Sequence, residues 1–232
     1  MARALNANEF LSKKFETLKF TDRWKDSFGE PERNFSMIIY GRPKNGKTEF
    51  AIQFAKYLTK FSKVLYNSFE QGFSKSLQDA FRRQKMQEVS SNILVIHKES
   101  FEALVARLKK KKSPNVIVID SLQYIKLTGD QWKYLRSTFT RKIFILIAHA
   151  EGDQPKGSAA KEIEYDIDIM CLVKGYQAFP GSRFGGNETF MIWETGHVNW
   201  LSRQNKQIKS AKPKAENEKQ GQLFENEEKQ AS

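Results

Sequence analysis

Two periodicities alternate along the chain. Largely apolar runs occupy 35–40, 63–68, 93–97, 116–120, 143–148 and 167–173. Short unbroken runs of this kind predict strands covered on both faces, as in a parallel sheet. Between them, apolar residues recur at three- and four-residue spacing. Phe50, Ala51, Phe54, Ala55 and Leu58 form one such set, and Phe73, Leu77, Ala80 and Phe81 a second that runs on to about Val89. Phe101, Leu104, Val105 and Leu108 form a third, stopped by Pro114. These sets predict helices. A loop and a short helix around Trp132, Leu135 and Phe139 are expected over 126–142. Strands alternating with helices predict an α/β domain.

The ends and two inner stretches read differently. Residues 1–30 mix Phe10, Phe15, Leu18 and Phe20 with lysines, a pattern that fits a lid on the first strand or an arm that docks on a neighbouring subunit. The stretch 151–160 has Gly, Asp, Pro and Ser without a large apolar anchor, which predicts a mobile loop. Residues 189–193 and 198–201 read as closing strands, hairpinned through Gly196. From about Asn205 the pattern collapses into Lys, Glu, Gln and Asn, a disordered composition. The expected organisation is an amino-terminal arm (1–30), one α/β domain (31–204) and a charged tail (205–232).

Composition narrows the class. With 232 residues, 39% hydrophobic and 28% charged, the chain suits a single globular core. Cys171 is the only cysteine and lies in an apolar run, so a buried thiol is expected, and disulfides or a cysteine zinc site within one chain are excluded. No apolar run is long enough to span a membrane, and the first residues lack the apolar core of a signal peptide. A cytoplasmic protein is therefore expected. The net charge of +12 points towards nucleic acid, whose phosphates attract basic surfaces without sequence preference. The basic run 107–112 itself reads as a solvated helix end that complements the helix dipole.

The chemistry concentrates at strand ends. Gly41, Arg42, Pro43, Lys44, Asn45, Gly46, Lys47 and Thr48 form a complete G-x-x-x-x-G-K-[ST] phosphate loop between an apolar strand and an amphipathic helix. Its glycines let the chain turn closely around an anion at a helix N-terminus. Lys47 is expected on the β and γ phosphates of ATP, and the Thr48 hydroxyl on Mg²⁺. Asp120 ends the 116–120 strand at the rim where open α/β sheets bind ligands, and is the expected second Mg²⁺ group. Glu70, just past the second strand, is the expected general base for water, ahead of Glu49 on the phosphate-loop helix. His149 ends the 143–148 strand beside the 151–160 loop, where it can sense the γ-phosphate or serve as a structural hydrogen-bonder. The three histidines do not cluster as metal ligands, and neither H-E-x-x-H nor G-x-S-x-G occurs.

Taken together, KVLYNSFEQ (63–71), VIVIDSLQ (116–123), ILIAH (145–149) and SRFGGN (182–187) resemble the ATPase core of the RecA superfamily, nearest to the RadA-type branch-migration ATPase and the DnaB-type helicase. The resemblance runs from about Phe35 to Trp200. It implies a RecA-like P-loop NTPase fold: a mostly parallel central sheet flanked by helices and closed by an antiparallel hairpin. It also implies ATP and Mg²⁺ as cofactors, Asp120 as the Walker B acid, Glu70 as base, and His149 as the residue coupling nucleotide state to a DNA-contacting loop. That loop would be 151–160, with Lys156 and Lys161 as phosphate contacts and 126–133 as a weaker second candidate. Arg183 would be an arginine finger acting on a neighbouring subunit's nucleotide. Members of the superfamily act as six-membered rings or helical filaments on single-stranded DNA, so a homo-oligomer with single-stranded DNA, and with a replication or recombination partner, is implied.

The chain departs from that pattern in places. Gly181 stands where RadA-type and DnaB-type chains usually have a lysine two positions before the finger, leaving slower hydrolysis or a substitute such as Lys174 as the options. The cysteines of RadA's zinc module have no counterparts, and nearly a bare motor core is expected. Two other functions fit the phosphate loop: a nucleotide-gated DNA-binding or loading factor with little hydrolysis, and a small-molecule kinase.

Overall fold

The computed structural model describes residues 3–206. The tail from 207 onwards, including most of the segment expected to be disordered, lies outside the described residues. The described chain divides into a main unit ending at Ile192 and a second unit starting at Trp193.

In the main unit, helices α1 (Ala7–Leu11) and α2 (Asp22–Phe28) precede β1 (Ser36–Gly41) and α3 (Lys47–Leu58). Next come β2 (Val64–Ser68), α4 (Lys75–Arg83), a 3-10 stretch (Met86–Asn92), β3 (Ile93–His97), α5 (Phe101–Leu108) and β4 (Val116–Asp120). The chain continues through α6 (Leu122–Ile125), α7 (Gly129–Thr138), β5 (Ile143–Glu151), β6 (Gln154–Pro155) and α8 (Ser158–Glu164). It closes with β7 (Ile169–Lys174), β8 (Gln177–Ser182) and β9 (Phe190–Met191). The strand order is β3-β2-β4-β5-β1-β7-β8-β9, with β6 paired to β5. Strands β3 to β7 along this path are parallel, and β8 and β9 are antiparallel.

Strand periodicity builds both layers. Met37, Ile39, Val116, Val118, Ile145 and Ile147 face one core with α2, α3 and α4. Their neighbours Ile38, Ile117, Ile119, Phe144 and Leu146 face a second core with α5, α7 and α8. The strands therefore need apolar residues at every position, which is why their sequences show no polar alternation. Residues 1–30 split in function. Leu18, Phe20, Trp24 and Phe28 are buried on the first core, whereas α1 buries nothing. Cys171 is fully buried, and burial pushes its thiol well above the usual range.

Three expectations change. The stretch 151–160 is not an irregular loop: β5 runs on to Glu151, turns at Gly152, returns as β6 and starts α8. The closing hairpin is β7–β8, not 189–201. Pro180 and Gly181 read as turn residues, but both lie in β8, where β9 pairs only with Gln177 and Ala178. The Pro180 nitrogen thus faces an unpaired edge, the one place in a sheet that tolerates proline. Of 189–193, only Phe190–Met191 is strand. Residues 198–201 belong to helix α9 (194–206) in the second unit. There the His197 N–H bonds to the Trp193 carbonyl at 3.0 Å, and the His197 and Trp200 rings stack. The apolar side chains of V-N-W-L look strand-like over four residues, but Trp193, His197 and Leu201 recur at helical spacing.

Candidate nucleotide site

The site lies at the carboxyl ends of the parallel strands. Gly41 ends β1 directly opposite His149 of β5 in the sheet register, and Asp120 ends β4 opposite Ser68 of β2. The phosphate loop, Glu70, Asp120 and His149 therefore converge at one rim.

The loop is held in shape before any ligand arrives. Asn45 accepts a hydrogen bond from the Gly175 N–H at 2.7 Å and donates to the Arg42 and Pro43 carbonyls. The Tyr176 N–H donates to the Asn45 carbonyl at 3.1 Å, tying the loop to the β7–β8 turn. Gly46 has φ +100°, and a Cβ there would also press on the Tyr176 ring at 3.0 Å. A Cβ on Gly41 would lie 2.1 Å from the Val173 carbonyl oxygen, so no side chain fits at that close strand contact.

Lys47 opens α3 and is buried. Its Nζ donates to the carbonyls of Gly41 at 2.8 Å and Arg42 at 3.1 Å. Burial lowers its pKa, while the nearby Glu70 and Asp120 charges pull the other way. The ammonium is folded back on its own loop. Thr48, next on the helix, is half-buried.

Asp120 is 1% exposed. One carboxylate oxygen accepts from the Tyr66 hydroxyl at 2.8 Å, and the other, Oδ1, is buried with no hydrogen-bond partner. Burial raises its pKa to about 6, against the opposing Tyr66 hydrogen bond. An orphaned carboxylate oxygen beside a phosphate loop fits Mg²⁺, which binds through one or two protein oxygens, waters and substrate phosphates. Among the described residues no cluster of three or more His, Cys, Asp or Glu could hold a metal ion.

Glu70 and His149 meet: His149 Nε2 lies 3.3 Å from Glu70 Oε2. Glu49, the weaker candidate for the base, is engaged by Arg83 and Gln84 on the far side of its helix. The Glu70 turn is braced by His97, whose Nδ1 accepts from the Phe73 N–H at 2.9 Å. Behind His149, Gln123 accepts from the His149 N–H at 3.1 Å and donates to the Lys156 carbonyl at 3.0 Å. The Lys156 N–H in turn donates to the His149 carbonyl at 2.8 Å. The sequence assigns no role to Tyr66, His97 and Gln123: Tyr66 and Gln123 lie inside the motifs 63–71 and 116–123, and His97 is weighed only as a metal ligand.

Arg183 lies elsewhere. It follows β8 at the amino-terminal end of β7, where its guanidinium is 3.4 Å from Asp168 and 61% exposed. Asp168 also accepts from the Ser36 N–H at 2.8 Å, at the opposite end of β1 from the phosphate loop. Lys174 cannot stand in for the missing lysine at Gly181 within one chain. In the β7–β8 register it pairs with Gln177, whereas Ser182 pairs with Ile169, and its ammonium faces Asp153. Lys156 and Lys161 are both exposed, as is Lys126, whereas Lys133 is ion-paired with Glu162 at 2.9 Å.

No protein-family model matches the chain. The chain is 27% identical over 143 residues to the DNA repair protein RadA of Aquifex aeolicus (strain VF5), a match covering 62% of this chain and 27% of RadA. It thus spans about a quarter of that relative's length. The flagellar accessory protein FlaH of Methanocaldococcus jannaschii superposes with a TM-score of 0.51 at 16% identity, over 76% of this chain and 84% of FlaH. The chain has a RecA-type P-loop core. A KaiC-like protein of Pyrococcus horikoshii gives a TM-score of 0.49 at 16% identity, over 68% of this chain and 89% of that protein. In this RecA-type core the phosphate loop, the β4 carboxylate and the β5 terminus share one rim, and the closing hairpin buttresses the loop through Gly175 and Tyr176. No described helix is long and apolar enough to cross a membrane.

Proposed function

We propose that the chain is an oligomeric, DNA-dependent ATPase in which Mg-ATP at the phosphate loop controls the grip of the 151–161 segment on single-stranded DNA. The observation that carries this reading is the chain of contacts from Glu70 to His149, and from His149 through Gln123 to Lys156. A change in Glu70's hydrogen bonding reaches the basic hairpin through three residues. The similarity to a protein described as acting in DNA repair, and the +12 charge, favour nucleic acid as the partner.

In this reading Lys47 exchanges its two backbone carbonyls for phosphate oxygens, and Thr48 and Asp120 hold Mg²⁺. When bound, the ion would neutralise phosphate charge. Glu70 accepts the proton of the attacking water, and His149 holds the carboxylate in place. Arg183 sits at the wrong end of the sheet for its own phosphate loop, so a finger role requires a second copy, in a ring or a filament. Its guanidinium would then leave Asp168 and stabilise charge on the transferring phosphoryl group.

Steady-state ATP turnover measured with and without single-stranded DNA tests the proposal. Strong stimulation by DNA is expected. DNA binding without turnover would instead favour the nucleotide-gated loading factor, and turnover indifferent to DNA the small-molecule kinase.

A further inference from the structure

The opposite end of the sheet carries the run of four exposed lysines 109–112. Three segments meet there. The Val116 N–H bonds to the Lys63 carbonyl at 3.2 Å, Asn115 bonds to the Ser62 hydroxyl at 3.1 Å, and the Ile143 N–H bonds to the Asn115 carbonyl at 2.8 Å. Lys142 is buried at this junction, donating to the Ser113 hydroxyl at 2.8 Å and the Pro114 carbonyl at 2.7 Å. These bonds fix the turn after α5 against the starts of β2, β4 and β5. The surface they assemble presents Lys60, Lys63, Arg141 and the run 109–112, all exposed.

The three segments, 60–63, 109–115 and 139–142, contain no Asp or Glu. None of the seven exposed cations is ion-paired with a described residue, and the Lys60 ammonium lies over the Tyr57 ring. Several cations elsewhere in the domain are neutralised locally, as with Lys19 and Lys25 on Glu30, Lys56 on Glu88 and Arg107 on Glu99. The helix dipole accounts for only part of the run. Helix α5 ends at Leu108, so Lys111 and Lys112 lie beyond the last turn, where the dipole's effect has faded. Lys60, Lys63 and Arg141 come from other elements altogether.

We propose that this end of the sheet is a second nucleic-acid surface that grips the phosphate backbone, separate from the 151–161 segment. The inference rests on nucleic acid being the protein's partner. Strands of five residues put the two ends roughly 17 Å apart, so the surfaces are distinct. An acid-free, unpaired cation cluster attracts polyphosphate and reads no base. The three segments expose no large apolar side chain to insert into a lipid surface, which favours nucleic acid over a membrane.

The test compares the full chain with two variants. One combines Lys109→Ala, Lys110→Ala, Lys111→Ala and Lys112→Ala; the other combines Lys156→Ala and Lys161→Ala. Anisotropy of a fluorescein-labelled single strand, and of a duplex of equal length, is recorded across a salt series. The four-lysine variant is expected to bind whichever form the surface prefers roughly tenfold or more weakly at low salt. Its salt slope should fall by about 0.7 per lost contact for single strands or about 0.9 for duplex. ATP turnover without DNA should be unchanged, and four Lys→Arg changes should restore binding. If both affinity and slope match the parent for both forms, while the Lys156/Lys161 variant is impaired, this surface is not a DNA site and the proposed function stands. If the parent chain binds neither form, both readings fall. Binding to phosphatidylserine vesicles that depends on the four lysines, with DNA binding that does not, would also overturn the proposal.

Discussion

Two polar groups at the rim are held in a way that the proposed nucleotide would relieve. Lys47 spends its hydrogen bonds on two carbonyls of its own loop, and Asp120 keeps one buried oxygen without a partner. The Asp120 carboxyl holds its proton up to about pH 6 in the folded chain, against an ordinary value of 3.8, because burial disfavours its charge. Between those values the folded chain binds more protons than the unfolded one. Stability therefore falls as pH rises through this window, and the full penalty, up to about 3 kcal/mol, persists above pH 6. Asp120→Asn is accordingly expected to raise stability at pH 7.5 while abolishing turnover, with the stability gain shrinking towards pH 4. Denaturant melts of both proteins at the two pH values check this, and an equal gap at both would contradict it. Glu70 is the complementary case, since in the proposed function its carboxylate acts on water and not on the nucleotide. Glu70→Gln should leave ATP binding intact and reduce turnover by roughly 10²–10⁴-fold, the usual worth of a positioned base. A loss of less than about threefold in single-turnover assays would place the base elsewhere.

At the scale of elements, what was legible in the sequence is what depends on local pattern. Most of the six parallel strands declared themselves because they are buried on both faces and so largely apolar; the edge strand β3 is only part-buried, yet its Ile93, Leu94, Val95 and Ile96 still read as a strand. Gly41 to Thr48, Asp120 and His149 were legible because strand ends on a parallel sheet share one rim. Glu70 belongs with them, two residues beyond the end of β2. What stayed hidden depends on register or on long-range packing. Tyr66 meets Asp120 across two neighbouring strands, and Gln123 reaches the hairpin only because α6 packs beside the end of β5. Strand β8 was masked by Pro180 and Gly181, whose place on a free edge no local pattern reveals. The 151–160 segment lacked large apolar residues because its anchors are Pro155 and Ala160, small side chains that are nonetheless buried.

For the whole molecule, the location of Arg183 decides how the proposed arginine finger would have to act. It lies at the far end of the sheet from the phosphate loop, paired weakly with an Asp168 that Ser36 and Arg136 also satisfy. Removing it should therefore cost little stability, as for exposed ion pairs generally. Arg183→Ala is expected to bind ATP normally and hydrolyse it poorly. Mixing it with Lys47→Ala subunits should restore part of the turnover, because some interfaces then join an intact loop to an intact arginine. Turnover across mixing ratios, with assembly size followed in parallel, reads this out. If the subunits co-assemble and turnover never exceeds the sum of the separate mutants, the finger in trans is wrong.

The most direct test of the central claim, that nucleotide and DNA are coupled through His149 and Gln123, is an equilibrium one. Single-stranded DNA affinity is measured with and without a saturating non-hydrolysable ATP analogue, for the parent chain and for Gln123→Ala. The account predicts that the analogue changes DNA affinity in the parent by about fivefold or more, within the usual range of coupling between sites. In Gln123→Ala each ligand should still bind, with that factor falling towards one. A parent chain whose DNA affinity ignores the analogue, or a Gln123→Ala variant that keeps the full factor, would contradict it.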